Sequence, residues 1–169
     1  MSKLKTVAKW FAVSAVVATV TFFAVRAFDI RHMPPLELWH TYVPHEPSIR
    51  SMDAGNWAGY LKAEEVIFNE VRKEVSDKLP AKVRTPLNRY YPDSLIYPGR
   101  YNQDWNRSYT LQPAGKPLGA VVLLHGLTDS PYSLRHIARL YAANGFVVVA
   151  IRLPGHGTVP AGLSNVTWE

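Results

Sequence analysis

The chain has 169 residues, of which 47% are hydrophobic and 19% charged, a balance typical of a folded chain with an apolar segment and not of a disordered one. Its formal charge is +6, but Lys3, Lys5 and Lys9 carry half of it, so the charge does not indicate a nucleic-acid partner. The absence of cysteine excludes disulfides and thiolate metal sites, and we expect neither a metal nor a cofactor.

The amino-terminal segment predicts a membrane helix. Residues 10–25 contain no charge, and a helix over residues 10–28 would be about 28 Å long, close to the hydrocarbon thickness of a bilayer. We predict that residues 1–28 form an uncleaved single-pass anchor. The lysines before the span outnumber the arginines after it, which favours a cytoplasmic amino terminus and a periplasmic or extracellular domain. The alternative is a cleaved signal peptide and a secreted protein.

Residues 29–105 are predicted to connect this anchor to a folded domain. Prolines dominate residues 29–51, which predicts an extended linker. Apolar residues at helical spacing then predict an amphipathic helix over residues 57–79, with Asp53 at its start and Pro80 at its end.

Residues 81–105 combine arginines with aromatic side chains between prolines. Such interleaving can stack on single-stranded nucleic acid. Because the segment contains no recognisable nucleic-acid module, we instead predict a loop that its aromatic rings hold against the domain.

Two apolar runs, residues 120–124 and 146–151, predict parallel strands buried on both faces. Residues 106–112 alternate as an additional strand. The helix between the two runs is predicted over residues 131–144, with a proline at its first position and Gly145 after its end. Its predicted inward face consists of Leu134, Ile137, Ala138 and Tyr141. These elements indicate the α/β class and a βαβ unit.

The turns that follow the two strands carry the motifs LLHGLTDSPYSLR and FVVVAIRLPGHG. Residues 108–169 resemble the amino-terminal part of α/β-hydrolases, in the branch of monoglyceride lipases, carboxylesterases and serine aminopeptidases, and residues 106–169 are therefore predicted to form a partial α/β-hydrolase domain. The resemblance implies an incomplete α/β-hydrolase fold, in which a parallel βαβ core has an antiparallel edge strand.

The resemblance also implies roles for the two turns. The backbone N–H of Leu127 would form half of an oxyanion hole, and His125 and Gly126 would form the turn beside the substrate. The second turn, implied to be structural, is Gly155, His156 and Gly157. Neither histidine is the family's catalytic base, and Asp129 stands where many relatives carry glycine.

The family's nucleophile, a serine in G-x-S-x-G, has no match in the sequence. The nearest pentapeptide surrounds Ser164 but lacks the second glycine and a preceding strand, so we reject Ser164 as the nucleophile. In addition, one helix covers only one face of the two predicted strands, which would leave a large apolar patch. The sequence therefore indicates the amino-terminal part of a longer protein.

We interpret the chain as the amino-terminal part of a membrane-anchored serine hydrolase that acts on carboxylic esters, lipid-like ones included, and that is inactive as this chain. One alternative is a non-catalytic, truncated and membrane-anchored interaction protein, and another is a peptidase of the serine aminopeptidase type. A nucleotide-binding βαβ domain is disfavoured because Pro160 stands where a G-x-G-x-x-G motif needs its last glycine.

Overall fold

A computed structural model of the chain describes residues 2–47 and 55–166. Asp53, predicted to cap a helix, lies outside the described residues. The chain divides into two compact units, Met1–Leu36 and Glu37–Glu169. Residues 37–47, part of the predicted linker, thus belong to the second unit, while the domain boundaries proposed after residues 28 and 105 stay predictions.

The first unit is helix α1 (Ser2–His32), which extends beyond the predicted span. Its apolar side chains are exposed, and it is long and apolar enough to cross a membrane. Within the helix, the Thr19 hydroxyl donates a hydrogen bond to the carbonyl oxygen of Ala15, which satisfies a polar group without water. A membrane span and a signal sequence both fit these features.

In the second unit, a short helix α2 (Leu38–Thr41) precedes the amphipathic helix α3 (Trp57–Val71). Asn56 caps α3, because its side-chain oxygen accepts a hydrogen bond from Gly59 N at 2.9 Å. The helix continues as a π-helical turn, Arg72–Ser76, so it ends before the predicted residue 79. The predicted apolar stripe is buried at Ile67, Val71, Val75 and Leu79.

The sheet contains strands β1 (Tyr109–Leu111), β2 (Gly119–Leu124) and β3 (Phe146–Ile151) in the order β1-β3-β2. The outer strand β1 runs antiparallel to β3, whereas β2 runs parallel to β3 with Val121 beside Val148. The predicted parallel pair and antiparallel edge strand are therefore confirmed. The structure establishes a small mixed α/β sheet, and the assignment to an incomplete hydrolase fold stays a prediction.

Between β2 and β3, a 3₁₀ turn (Pro131–Leu134) leads into helix α4 (Arg135–Ala143). The glycine after α4, Gly145, has a φ of 91°, as predicted for a left-handed helix end. The predicted inward face of α4 is only partly correct. Ala138 is fully buried against β1 and β3, but Ile137 is 44% exposed. Alanine faces the sheet because a small side chain lets the helix backbone approach the strands closely.

The prediction that both strands are buried on two faces is wrong for β2. Val148 and Ala150 of β3 are completely buried on the side of α4. On the opposite side of the sheet, Val122 and Leu124 are 60% and 61% exposed. Since β2 also lies at the edge of the sheet, it presents apolar side chains that no described residue covers.

Residues 81–105 form turns and two 3₁₀ helices, Ala81–Val83 and Pro98–Arg100. Aromatic rings attach this segment to the rest of the unit, as predicted. Trp105 packs edge-on against Tyr109, with ring centroids 4.9 Å apart, and Tyr90 stacks on Trp39 at 5.3 Å. A last 3₁₀ helix, Pro160–Asn165, follows the loop after β3.

Candidate active site

The loop after β2 contains the backbone N–H of Leu127, which the resemblance singles out. Leu127 is 82% exposed, and no described residue accepts a hydrogen bond from its N–H. The turn is closed by a hydrogen bond from Asp129 N to the carbonyl oxygen of Gly126, at 3.1 Å, which does not involve the N–H of Leu127. A backbone donor is thus available at the carboxyl end of a parallel strand, where α/β proteins commonly bind ligands.

His125 connects this loop to the loop after β3. The ring is buried, and its Nε2 atom accepts a hydrogen bond from Leu153 N at 3.0 Å. Since Nε2 is the acceptor, the neutral ring carries its proton on Nδ1, which donates to the carbonyl oxygen of Gly126 at 2.9 Å. Burial lowers the pKa of His125, which favours this neutral form.

These contacts also orient the N–H of Leu127. The carbonyl of Gly126 and the N–H of Leu127 belong to one planar trans peptide and point in opposite directions. Two donors, His125 Nδ1 and Asp129 N, hold that carbonyl oxygen. The N–H of Leu127 therefore points away from these two donors, and the contacts of His125 hold the turn. The roles that the resemblance implies for this turn stay predictions.

His156 contacts the next peptide of the same loop. Its Nε2 atom lies 2.6 Å from the carbonyl oxygen of Leu127, and its Nδ1 atom lies 2.7 Å from that of Pro154. Carbonyl oxygens only accept, so each contact is a hydrogen bond only when that ring nitrogen carries a proton. Both ring nitrogens thus lie against backbone carbonyl oxygens, which fits a structural role for His156.

The turn around His156 requires glycine on both sides. Gly155 and Gly157 have φ angles of 76° and 74°, in the left-handed region that other residues rarely adopt. Space is also limited, because a Cβ atom on Gly157 would lie 2.6 Å from the carbonyl oxygen of Asn106. The structural role that the resemblance implies for this turn stays a prediction, which the need for glycine supports.

A buried arginine, Arg152, holds this turn in place. The sequence motifs did not indicate it. Arg152 is 2% exposed and pairs with Glu46 through both terminal nitrogens at 2.9 Å and with Glu64 through Nε at 3.1 Å. Its Nη1 atom also donates to the carbonyl oxygen of His156 at 3.0 Å. Burial disfavours the charged guanidinium, but hydrogen bonds and the two carboxylates outweigh burial and raise the pKa of Arg152.

Glu46 and Glu64 extend this network to other segments. Glu46 lies in the predicted linker and also accepts a hydrogen bond from Gly155 N at 2.8 Å. Glu64 of α3 accepts from the hydroxyl of Ser108 at 2.8 Å, and Ser108 Oγ in turn accepts from Arg152 N. The only local signal of this network was an arginine directly after an apolar strand.

Serine hydroxyls near the loop are used structurally. Ser130 Oγ donates to Asn106 Oδ1 at 3.0 Å, and Ser164 Oγ donates to the carbonyl oxygen of Ala161 at 2.7 Å. Within residues 2–47 and 55–166, no serine hydroxyl is hydrogen-bonded to a histidine ring, and no group of three potential metal ligands occurs. The arrangement can offer an oxyanion donor but contains no assembled nucleophile and base in its described part.

A cavity of about 430 Å³ opens beside the loop. Its walls include Thr128, Asp129 and Ser130 from the loop after β2, and His156 from the loop after β3. The size suits a small ligand.

One curated relative shares a local similarity with the chain. A thermostable monoacylglycerol lipase of Bacillus sp. (strain H-257) is 50% identical over 53 residues, which represent 31% of this chain and 21% of the lipase. The chain thus spans about a fifth of the length of the curated relative it matches. No protein-family profile matches the chain. No solved structure matches it significantly. The local match supports an α/β-hydrolase-like relationship.

Proposed function

We propose that the chain is the amino-terminal part of a serine hydrolase that acts on carboxylic esters, with the backbone N–H of Leu127 as one oxyanion donor. The observation that carries this proposal is the N–H of Leu127, which has no acceptor among the described residues and belongs to a peptide held by His125. The next residues of the same loop, Thr128 to Ser130, line a cavity between the two loops. The local identity to a monoacylglycerol lipase supports the lipase or esterase class and a lipid-like substrate.

The chemistry assigned to Leu127 is electrostatic. When a serine oxygen attacks an ester carbonyl, the carbonyl oxygen gains negative charge in the tetrahedral intermediate. An N–H fixed before the reaction stabilises that charge without reorganising, typically by about 3 kcal/mol. Two hydrogen bonds to Gly126 O keep the Leu127 peptide in one orientation. The loop is therefore suited to this role before substrate binds.

The proposed nucleophile, acid and base lie outside this chain, since its sequence contains no G-x-S-x-G. Alone, the 169 residues are proposed to be inactive. We further propose that residues 1–28 anchor the protein as a single-pass span, with its amino terminus in the cytoplasm and the folded unit outside. Support for the anchor comes from the length and apolar surface of α1. A cleaved signal remains the alternative.

A second candidate is a non-catalytic, membrane-anchored interaction protein. The exposed apolar side chains of Val122 and Leu124 favour it, because monomeric proteins rarely leave a strand of this kind uncovered. A peptidase of the serine aminopeptidase type would use the same oxyanion donor and differs in its substrate alone.

The test compares the 169-residue chain with the product of the same reading frame continued downstream. Both are incubated with a fluorescent fluorophosphonate, which labels activated serines, and with p-nitrophenyl butyrate. We expect the longer product to be labelled and to hydrolyse the ester, and the 169-residue chain to do neither. An unlabelled, inactive longer product would contradict the hydrolase and favour the interaction protein, and hydrolysis of aminoacyl p-nitroanilides alone would favour the peptidase.

A further inference from the structure

A second cavity, of about 740 Å³, lies between α4 and the irregular segment of residues 81–105. It shares Arg89, Asn106 and Tyr132 with the cavity of the candidate active site, but no residue of the two loops after β2 and β3 that form that site lines it, other than the adjoining Tyr132. Its volume is within the range of small-molecule sites in proteins. The wall is dominated by arginines and aromatic rings, namely Arg89, Arg135, Arg139, Tyr101, Trp105 and Tyr132.

The cavity has an excess of positive charge. Among the residues that the structure describes, no carboxylate pairs with Arg89, Arg135 or Arg139. One carboxylate, that of Asp104, also lines the cavity. It lies 3.7 Å from Arg107 Nε and accepts hydrogen bonds from the backbone and side chain of Asn106, so its partners are other than the three arginines. Three arginines that no described carboxylate neutralises therefore line the cavity.

Each of the three guanidinium groups lies over an aromatic ring, and for Arg135 and Arg139 that ring also lines the cavity. The Cζ atom of Arg135 lies 3.7 Å from the ring centroid of Tyr132, and that of Arg139 lies 4.8 Å from the ring centroid of Trp105. Stacking on a ring orients a guanidinium but does not neutralise it. Arg135 uses only Nη1 internally, in a 2.8 Å hydrogen bond to the carbonyl oxygen of Tyr132. Its other N–H groups remain available to an anion.

We propose that this cavity binds a phosphate monoester attached to an apolar group. Arginine binds phosphate oxygens through paired N–H groups, and three arginines match a dianion better than the single charge of a carboxylate. The apolar part of the ligand would lie against Trp105 and Tyr101. Such a ligand is either a soluble phosphate ester or the headgroup of an anionic lipid such as phosphatidic acid. The proposal goes beyond the hydrolase activity and does not rest on it.

The test uses the full chain in phospholipid nanodiscs of phosphatidylcholine, in phosphate-free buffer. Phenyl phosphate, inorganic phosphate and phenol are titrated while the ¹⁵N-indole resonance of Trp105, assigned with Trp105→Phe, is followed. We expect phenyl phosphate to shift this resonance and to bind more tightly than inorganic phosphate, and phenol to cause no shift at comparable concentrations.

Paired variants separate specific binding from net charge. Arg135→Gln with Arg139→Gln is expected to weaken phenyl phosphate about 100-fold, at about tenfold for each charge-assisted contact. Lys62→Gln with Lys116→Gln removes the same charge from exposed positions outside the cavity and is expected to leave the affinity within about twofold. Arg89→Gln, on a separate segment, is expected to cost about tenfold and serves if the double variant does not fold.

Nanodiscs that contain phosphatidic acid identify the source of the phosphate. If the lipid is the ligand, the Trp105 resonance shifts without added probe, phenyl phosphate competes, and the arginine double variant abolishes the shift. If the ligand is soluble, phenyl phosphate binds equally in both kinds of nanodisc. The proposal is overturned if no phosphate compound shifts Trp105, or if a folded arginine variant binds as well as the lysine control.

Discussion

The Nε2 atom of His156 lies 2.6 Å from the carbonyl oxygen of Leu127, 29 residues earlier in the chain. This contact joins the loop after β2 to the loop after β3. Because Arg152 donates to the carbonyl oxygen of His156, the contact also links Leu127 to the ion pairs of Glu46 and Glu64. The loop after β2 is thus held by a connected set of hydrogen bonds and ion pairs that includes Glu46, in residues 37–47.

Replacement of His156 should loosen the loop after β2. In His156→Ala the carbonyl oxygens of Leu127 and Pro154 lose their partner, which should cost about 1–3 kcal/mol of the free energy of unfolding. Hydrogen exchange at residues 126–129 should become faster than in the wild type. His136→Ala, on the exposed side of α4, is the matched control and should leave exchange in this loop unchanged. Equal exchange in both variants would show that His156 does not hold the loop.

Loss of the buried arginine should destabilise the second unit. Arg152→Met leaves Glu46 and Glu64 without their cation, and the free energy of unfolding should fall by about 3–5 kcal/mol. Lys78→Met breaks an exposed pair with Glu74 and should cost less than about 1 kcal/mol. Denaturant unfolding in detergent, followed by tryptophan fluorescence, measures both. A small effect of Arg152→Met would mean that the network contributes little to stability.

Local features of the site were predictable from the sequence. Buried parallel strands need apolar residues, and tight turns need glycine, so residues 119–157 indicated the βαβ unit, the left-handed Gly145 and the two loops. These features depend on neighbouring residues alone, which explains why one sequence was sufficient.

Contacts between distant segments were not predictable. Glu46 and Arg152 are 106 residues apart, and no spacing rule pairs a carboxylate in a proline-rich segment with an arginine after a strand. The inward face of α4 was partly wrong for a related reason. Hydrophobicity favoured Ile137 as a buried residue, whereas close packing of the helix on the sheet buries Ala138. Tertiary contacts decide how a helix is rotated about its axis, and the sequence of the helix alone does not contain them.

Stability should fall as the pH falls below about 6.5, the ordinary pKa of histidine. Burial lowers the pKa of His125, so the unfolded chain binds its proton at a higher pH than the folded chain. Its contribution to stability is therefore complete above about pH 6.5 and is lost as the pH falls toward the folded value. His156, Asp129 and Arg152 are the charged or titratable groups that act on His125.

His125→Gln should lower the free energy of unfolding at neutral pH but reduce its dependence on pH. The glutamine cannot titrate, so the stability difference between about pH 7.5 and pH 5.5 should be smaller than in the wild type. Unfolding curves at several pH values provide the measurement. Parallel pH profiles for the two proteins would exclude His125 as a source of the dependence.

Glycine should be required at position 157 but not at position 115. Gly157→Ala introduces a Cβ atom at positive φ and 2.6 Å from the carbonyl oxygen of Asn106, and should cost more than about 1 kcal/mol. Gly115→Ala is the control, since nothing lies within 4 Å of its Cβ position. The melting temperature should fall in the first variant and stay within about 2 °C in the second. Equal melting temperatures would contradict the strain assigned to this turn.

The most direct test of the account is the effect of Leu127→Pro on ester hydrolysis by the product of the extended reading frame. Proline removes the backbone N–H, and the flexible Gly126 before it limits other strain. We predict that Leu127→Pro lowers kcat about 100-fold or more, with a smaller change in KM. Leu127→Ala keeps the N–H and alters only an exposed side chain, so its kcat should be close to that of the wild type. Equal kcat values for the proline and alanine variants would contradict the assignment of the Leu127 N–H as an oxyanion donor.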